Sequence, residues 1–240
     1  MLLLMRHRDK LAGRVLEIGC GAGRVLGYLV AIGRDVHGID ISSRMVEYCR
    51  HRYPGARVRV AALDDLSAAI EGKFDAVLAL NNVLDVFDDP GRRRALESMR
   101  ALLAPDGVVL FSSHNLSHVE RLRVPEAKPR PTQRAYELIS KAATHRVSEL
   151  PALVARLPRR VANRRRLTAL QRTAADHAII NDSAHDYGLL HYYIRRDDQE
   201  RQLRETGLEL VDCLDAEGNS VAAGETTVGP WLHYVARPLG

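Results

Sequence analysis

The chain has 240 residues, 46% hydrophobic and 27% charged, the composition of an ordinary soluble globular protein long enough to bury a substantial core, as one large domain or as one domain with a sizeable insertion. Its three cysteines, Cys20, Cys49 and Cys213, lack any paired spacing, which excludes a disulfide framework and a zinc site and points to a reducing, cytoplasmic setting with no metal. The net charge of +5 is unevenly placed: residues 114–180 hold 14 Lys and Arg against 5 Asp and Glu, a local +9 that leaves the rest of the chain at −4.

Residues 1–5 are apolar but too few for a signal-peptide core or a membrane span, so they are expected to pack on the domain. Val15, Leu16 and Ile18 suit a strand buried in a parallel sheet, and Gly19, Gly21 and Gly23 make the turn that follows it. Glycine there supplies positive φ and room for backbone to approach a ligand. Residues 24–30 then continue at helical period. A dinucleotide site would ask for G-x-G-x-x-G, its third glycine letting helix pack on strand. Counted from Gly19, that place is Arg24, and an acid, Glu17, stands two residues ahead of the turn; an NAD-dependent oxidoreductase is therefore the weaker reading.

An acid followed by G-x-G-x-G resembles motif I of the class I S-adenosylmethionine-dependent methyltransferases. The resemblance implies that Glu17 lies near the amino-acid moiety of S-adenosylmethionine, and that the turn Gly19-Cys20-Gly21 through Gly23 passes its methionine and ribose portions.

Residues 35–40 read as a second strand ending in Asp40, about where an α/β nucleotide fold sets a carboxylate against ribose hydroxyls; Asp40 before Ser42 and Ser43 is also a helix-capping arrangement. A helix over 43–50 and a third strand over 58–61 follow. At the next turn the resemblance implies an acid on the adenine amino group, Asp64 or Asp65, with Leu63 against the ring, and it adds Ile41 and Met45 to the cofactor contacts. The fourth strand, 74–80, ends at Asn81 and Asn82, the carboxyl edge at which open α/β sheets bind ligands. A helix with Pro90 in its first turn runs to Leu103, residues 104–107 form a turn, and 108–113 make the fifth strand. A helix over 197–205 and strands over 208–213 and 231–236 complete the pattern.

These elements resemble the class I methyltransferase core over roughly residues 11–115 and 197–240. The implied fold is α/β and Rossmann-like: a seven-stranded, mostly parallel sheet with its last strand antiparallel beside the sixth. Residues 1–115 and 194–240 form the S-adenosylmethionine-binding core, and residues 116–193 a mostly helical cap inserted after the fifth strand, at the ligand edge. Within the cap, Pro125, Pro129 and Pro131 mark a polar linker, 133–145 reads as a helix, and Arg156 to Arg166 is a basic run. That run suits phosphate, carboxylate or nucleic acid, or else a solvated surface; its lack of aromatics for base stacking favours the surface, so no nucleic-acid partner is expected.

Methyl transfer to oxygen or nitrogen needs positioning and removal of the acceptor's proton. His114, at the end of the fifth strand, and His191 are the first candidates for that base, followed by His185, Tyr193 and Tyr192; His191 and Tyr193 share a face if the segment is extended. The chain lacks the Asn/Asp-Pro-Pro-aromatic motif of DNA adenine methyltransferases after the fourth strand, and the cysteine of cytosine C5 enzymes. The expectation is methyl transfer to an O or N atom of a small polar or acidic metabolite, giving S-adenosylhomocysteine. An RNA or other anionic polymer bound by the arginines is the alternative, and a homodimer is an assembly left open.

Overall fold

The computed structural model describes residues 1–63, 66, 70–123 and 150–240. Asp64, Asp65, the three prolines of the linker and the helix expected over 133–145 lie outside the described residues.

In chain order the core elements are α1 (Leu2–Arg6), β1 (Arg14–Ile18), α2 (Arg24–Ala31), β2 (Asp35–Asp40), α3 (Ser43–Arg52), β3 (Ala56–Val60), β4 (Phe74–Ala79), α4 (Asp89–Ala101) and β5 (Leu103–Asn115). Local chemistry starts the helices: the Ser42 hydroxyl caps α3 by accepting from Met45 N–H, and Asp88 caps α4 by accepting from Gly91 N–H, with Pro90 in the first turn. β5 is longer than expected. The turn read at 104–107 is absorbed into the start of the strand, where the register against β4 shifts between Phe74↔Leu103 and Ala76↔Val108.

The insertion begins with α5 (Leu116–Arg123) and, among the described residues, continues with α6 (Leu150–Thr168). Between these helices and the rest of the core it also supplies three strands, of which the sequence reading considered only the third, as an extended segment at 191–193: β6 (Arg172–Thr173), β7 (His177–Ile180) and β8 (His191–Ile194). α7 (Arg196–Glu205), β9 (Leu208–Leu214) and β10 (Trp231–Pro238) then close the chain.

The seven core strands lie in the order β3, β2, β1, β4, β5, β10, β9, with β10 antiparallel to both neighbours. β6, β7 and β8 extend the same sheet, so it has ten strands. β10 takes one edge of β5 over residues 109–114, and β4 takes the other as far as Phe111. β8 pairs parallel with His114 and Asn115, on the edge that β4 has vacated. The antiparallel β6–β7–β8 ribbon thus prolongs the sheet past the carboxyl end of β4.

Successive residues of the buried strands feed opposite faces. Leu16, Val77 and Phe111 pack with Leu96 of α4 and Leu203 of α7, whereas Val15, Leu78 and Leu110 pack with Leu26 of α2 and Val46 of α3. This two-layer burial fixes the strand ends, and the loops that leave them carry the site.

Candidate active site

The turn after β1 is shaped by sterics. Gly19 has φ +67°, and a Cβ there would lie 2.8 Å from Val83 Cγ2. Glu17 points beneath the turn, 2% exposed, with a hydrogen bond from the Leu26 backbone and no partner for Oε2 among the described residues. Burial pushes its carboxyl up to about 8. Asp40, at the end of β2, accepts from Gly21 N–H on Oδ2 (2.8 Å) and from Ser42 N–H on Oδ1 (2.9 Å). Each oxygen keeps a lone pair for another donor.

A cavity of about 690 Å³ opens over these strand ends. Gly19, Asp40, Ile41 and Leu63 line one part of it, Asn81, Asn82, Val83, Val86 and Phe87 its middle, and His114, His185, His191 and Trp231 the rest. Asn81 (φ 58°) and Asn82 (φ 61°) both turn left-handed, which asparagine tolerates better than most residues, so the chain leaves β4 sharply. Arg24 Nη2 donates to Asn81 Oδ1 (2.5 Å), linking α2 to the end of β4.

Three histidines meet at the cavity. The rings of His114 and His191 are 5.2 Å apart by centroid, and those of His191 and His185 5.9 Å. Tyr193 lies 4.7 Å from His114. His191 and Tyr193 share a face of β8, and both reach Asp182 Oδ2: His191 through Nδ1 (3.0 Å), Tyr193 through its hydroxyl (2.6 Å). Burial and that carboxylate push the Tyr193 phenol far above its ordinary range, so it serves as a donor. No group of three or more His, Cys, Asp and Glu among the described residues is arranged to hold a metal ion.

Behind His114 lies a buried polar network. Arg92 and Asp85 are fully buried and paired through Nη1 and Oδ1 at 2.6 Å. Ser113, Gln199 and Gln202 accept the other guanidinium hydrogen bonds. Each donor of the charged group is needed, since an unpaired one at this depth is costly.

The structure therefore brings Gly19, Asp40, Ile41, Leu63, Asn81, Asn82, His114, His185 and His191 to one cavity. Glu17 lies buried under the turn, and Tyr193 is buried against His114. Cys20, Gly21, Gly23 and Met45 do not line the cavity. Cys20 is buried in the core with Val25, Leu26 and Cys49, a Cβ on Gly23 would strike the Tyr53 ring at 2.5 Å, and Met45 is half-exposed on α3. Tyr192 points to the opposite face of β8, where its hydroxyl donates to Asp89 (2.6 Å).

Sequence reasoning missed Asp85, Arg92, Asp182 and Trp231 as parts of the site. One signal was present: Arg92 shares a helical face with Ala95, Leu96 and Met99, all buried, and an arginine in an apolar stripe calls for a buried partner.

Residues 15–107 match the family model described as a methyltransferase domain. The ubiquinone biosynthesis O-methyltransferase of Thiobacillus denitrificans is 32% identical over 113 residues, covering 45% of this chain and 47% of that protein. The chain thus spans about half the length of the curated relatives it matches. Among solved structures, the CcbJ methyltransferase of Streptomyces caelestis superposes with a TM-score of 0.62 at 17% identity, over 100% of this chain and 88% of that one. The 1,6-didemethyltoxoflavin-N1-methyltransferase of Burkholderia thailandensis, solved with bound 1,6-didemethyltoxoflavin and S-adenosylhomocysteine, gives a TM-score of 0.59 at 13% identity, over 100% and 76% of the two chains. Motif, strand order and family match agree, and residues 15–107 form a methyltransferase domain similar to those of the class I S-adenosylmethionine-dependent enzymes.

Proposed function

We propose that the protein transfers a methyl group from S-adenosylmethionine to an oxygen or nitrogen atom of a small acceptor, with His114 as the base. The observation that carries this reading is that the glycine turn and the histidine cluster open onto one cavity. The residues fit the cofactor: the unpartnered Glu17 Oε2 suits an ammonium group, Asp40 has acceptors for ribose hydroxyls, and Gly19 leaves a cradle that a side chain would fill. When bound, S-adenosylmethionine supplies an electrophilic methyl carbon.

The remaining work falls to the chain. Ile41, Val86, Phe87 and Trp231 give the cavity apolar surface for an acceptor to pack on, while the histidines orient its polar atoms. His114 takes the acceptor's proton as the new bond forms, and Tyr193 supports its ring from behind. The curated relatives are named O-methyltransferases and one fold neighbour an N1-methyltransferase, so both kinds of acceptor atom stay within the proposal.

An anionic polymer is not favoured. Arg160 and Arg164 lie over the Tyr187 ring, and Arg156 and Arg160 face Asp186, so part of the basic run is taken up inside the cap. No helix among the described residues is long and apolar enough to cross a membrane. With three free, buried cysteines, a reducing cytoplasmic setting completes the reading.

Calorimetry with S-adenosylhomocysteine tests the cofactor half: micromolar binding is expected, and none at high micromolar ligand would overturn it. For the base, production of S-adenosylhomocysteine is followed against phenolic, carboxylic and amine acceptors. His114→Ala is expected to lower turnover by roughly 100-fold or more at unchanged cofactor affinity, and full turnover would remove His114 from the reaction.

A further inference from the structure

Asp85 stands in the 3-10 turn Val83–Val86, just after β4, and uses its two oxygens differently. Oδ1 accepts from Arg92 Nη1 (2.6 Å) and from the Ser113 hydroxyl (2.7 Å). Oδ2 accepts from the backbone N–H of His114 (2.7 Å) and also lies 2.7 Å from Nδ1 of the same residue, in an approach too oblique for a hydrogen bond but close enough for the charge to act on the ring. Held at one oxygen by the guanidinium and at the other by the backbone, the carboxylate has no freedom to turn away.

The far side of the ring agrees. His114 Nε2 is 3.2 Å from Asn82 Nδ2, an amide donor, so Nε2 acts as acceptor and the ring proton belongs on Nδ1, facing a carboxylate that can only accept. Both neighbours thus select the same tautomer.

We propose that Asp85, locked by Arg92, is a positioning residue for His114: it holds the ring proton on Nδ1 and leaves the Nε2 lone pair, which Asn82 Nδ2–H occupies in the resting protein, to take the acceptor's proton once the acceptor displaces that amide. The inference rests on the reading of His114 as the base, yet it concerns a property of the resting protein and is measured apart from turnover. Once Nε2 has taken the acceptor's proton, the imidazolium keeps its Nδ1–H toward Asp85, whose charge stabilises it.

The test is two-bond proton–nitrogen correlation of the full chain labelled with ¹⁵N-histidine, at about pH 8, where an ordinary imidazole is neutral; the His114 signal is assigned by its loss in His114→Gln. Wild type is expected to show Nδ1–H. Asp85→Asn is expected to lower the Nδ1–H to Nε2–H ratio about tenfold or more, the worth of a full charge beside the ring nitrogen. Ser113→Ala, which removes an Oδ1 partner and spares Oδ2, is expected to keep the wild-type pattern. If Asp85→Asn alone does not fold, Asp85→Asn with Arg92→Gln removes both charges and is read in the same way. An Nε2–H or doubly protonated ring in wild type, an unchanged tautomer in Asp85→Asn, or an equal change in Ser113→Ala would overturn the proposal. An Nδ1–H tautomer lost in Asp85→Asn, together with full turnover by His114→Ala, upholds the positioning and overturns only the base.

Discussion

Glu17 shows how one buried carboxyl ties folding to proton uptake and ligand binding to proton release. Its pKa of about 8, against 4.5 for the free group, means that the folded protein holds a proton between those values that the unfolded chain has released. The stability this contributes is complete below 4.5 and is lost as pH rises through about 8. Glu17→Gln is therefore expected to gain stability over wild type as pH rises from 5 to 9, by an amount on the order of a few kcal/mol, read from urea midpoints. Binding carries the opposite sign. An ammonium group placed against Oε2 favours the ionised form, so S-adenosylhomocysteine should expel a proton from Glu17 near pH 7. Calorimetry in two buffers of different ionisation enthalpy would show it as a buffer-dependent heat in wild type that vanishes in Glu17→Gln; equal heats in wild type would count against the contact. Gly19 sets a steric limit beside this: Gly19→Ala combines φ +67° with a 2.8 Å contact to Val83, and should weaken S-adenosylhomocysteine binding at least tenfold in the same assay.

At the scale of elements, legibility followed locality. The apolar run at Val15–Ile18, the glycine turn and the acid at Asp40 are local signals, and the seven core strands stand where those signals put them. The β6–β8 ribbon gave no such signal. β6 has two residues, β7 and β8 four each, and what makes them strands is pairing across the sequence, His114 with Tyr193 and His177 with Ile194. Asp85, in a turn, and Arg92, on a helix, carry no sequence sign of each other, because a buried ion pair is visible only when both partners are. The alternation of β8 nevertheless yields a clean prediction. His191 and Tyr193 sit on the His114 side, whereas Tyr192 is buried on the other, donating to Asp89, accepting from Gln202 Nε2 (3.1 Å) and stacked on His177 at 4.7 Å. Tyr192→Phe removes both hydrogen bonds of the hydroxyl, while Gln202 Nε2 still donates to Asp89 Oδ1 (3.0 Å), and should cost about 1 kcal/mol in urea unfolding at unchanged S-adenosylhomocysteine affinity. A matching loss of affinity would show that the two faces of the ribbon are coupled.

Across the whole molecule, the question is whether the two layers open together. Cys20 and Cys49 lie in the cluster that packs α2 and α3 on one face of the sheet, and Cys213 in the cluster under α4 and α7 on the other. All three are buried and free, and burial raises each thiol, Cys213 to about 12, so reaction with a thiol reagent at neutral pH requires opening of the structure around it. β4 stitches the layers together, sending Val77 and Ala79 into one cluster and Ala76 and Leu78 into the other, which makes separate opening of either face expensive. S-Adenosylhomocysteine at about 100 times its Kd stabilises the closed protein by roughly 2.7 kcal/mol, and opening is suppressed about 100-fold. Although the ligand site adjoins Cys20 and is remote from Cys213 in sequence, a single cooperative unit slows all three thiols by that same factor. Labelling followed by mass spectrometry, cysteine by cysteine, decides it: protection of Cys20 and Cys49 with Cys213 unchanged would mean that the α4–α7 layer opens while the cofactor half stays closed.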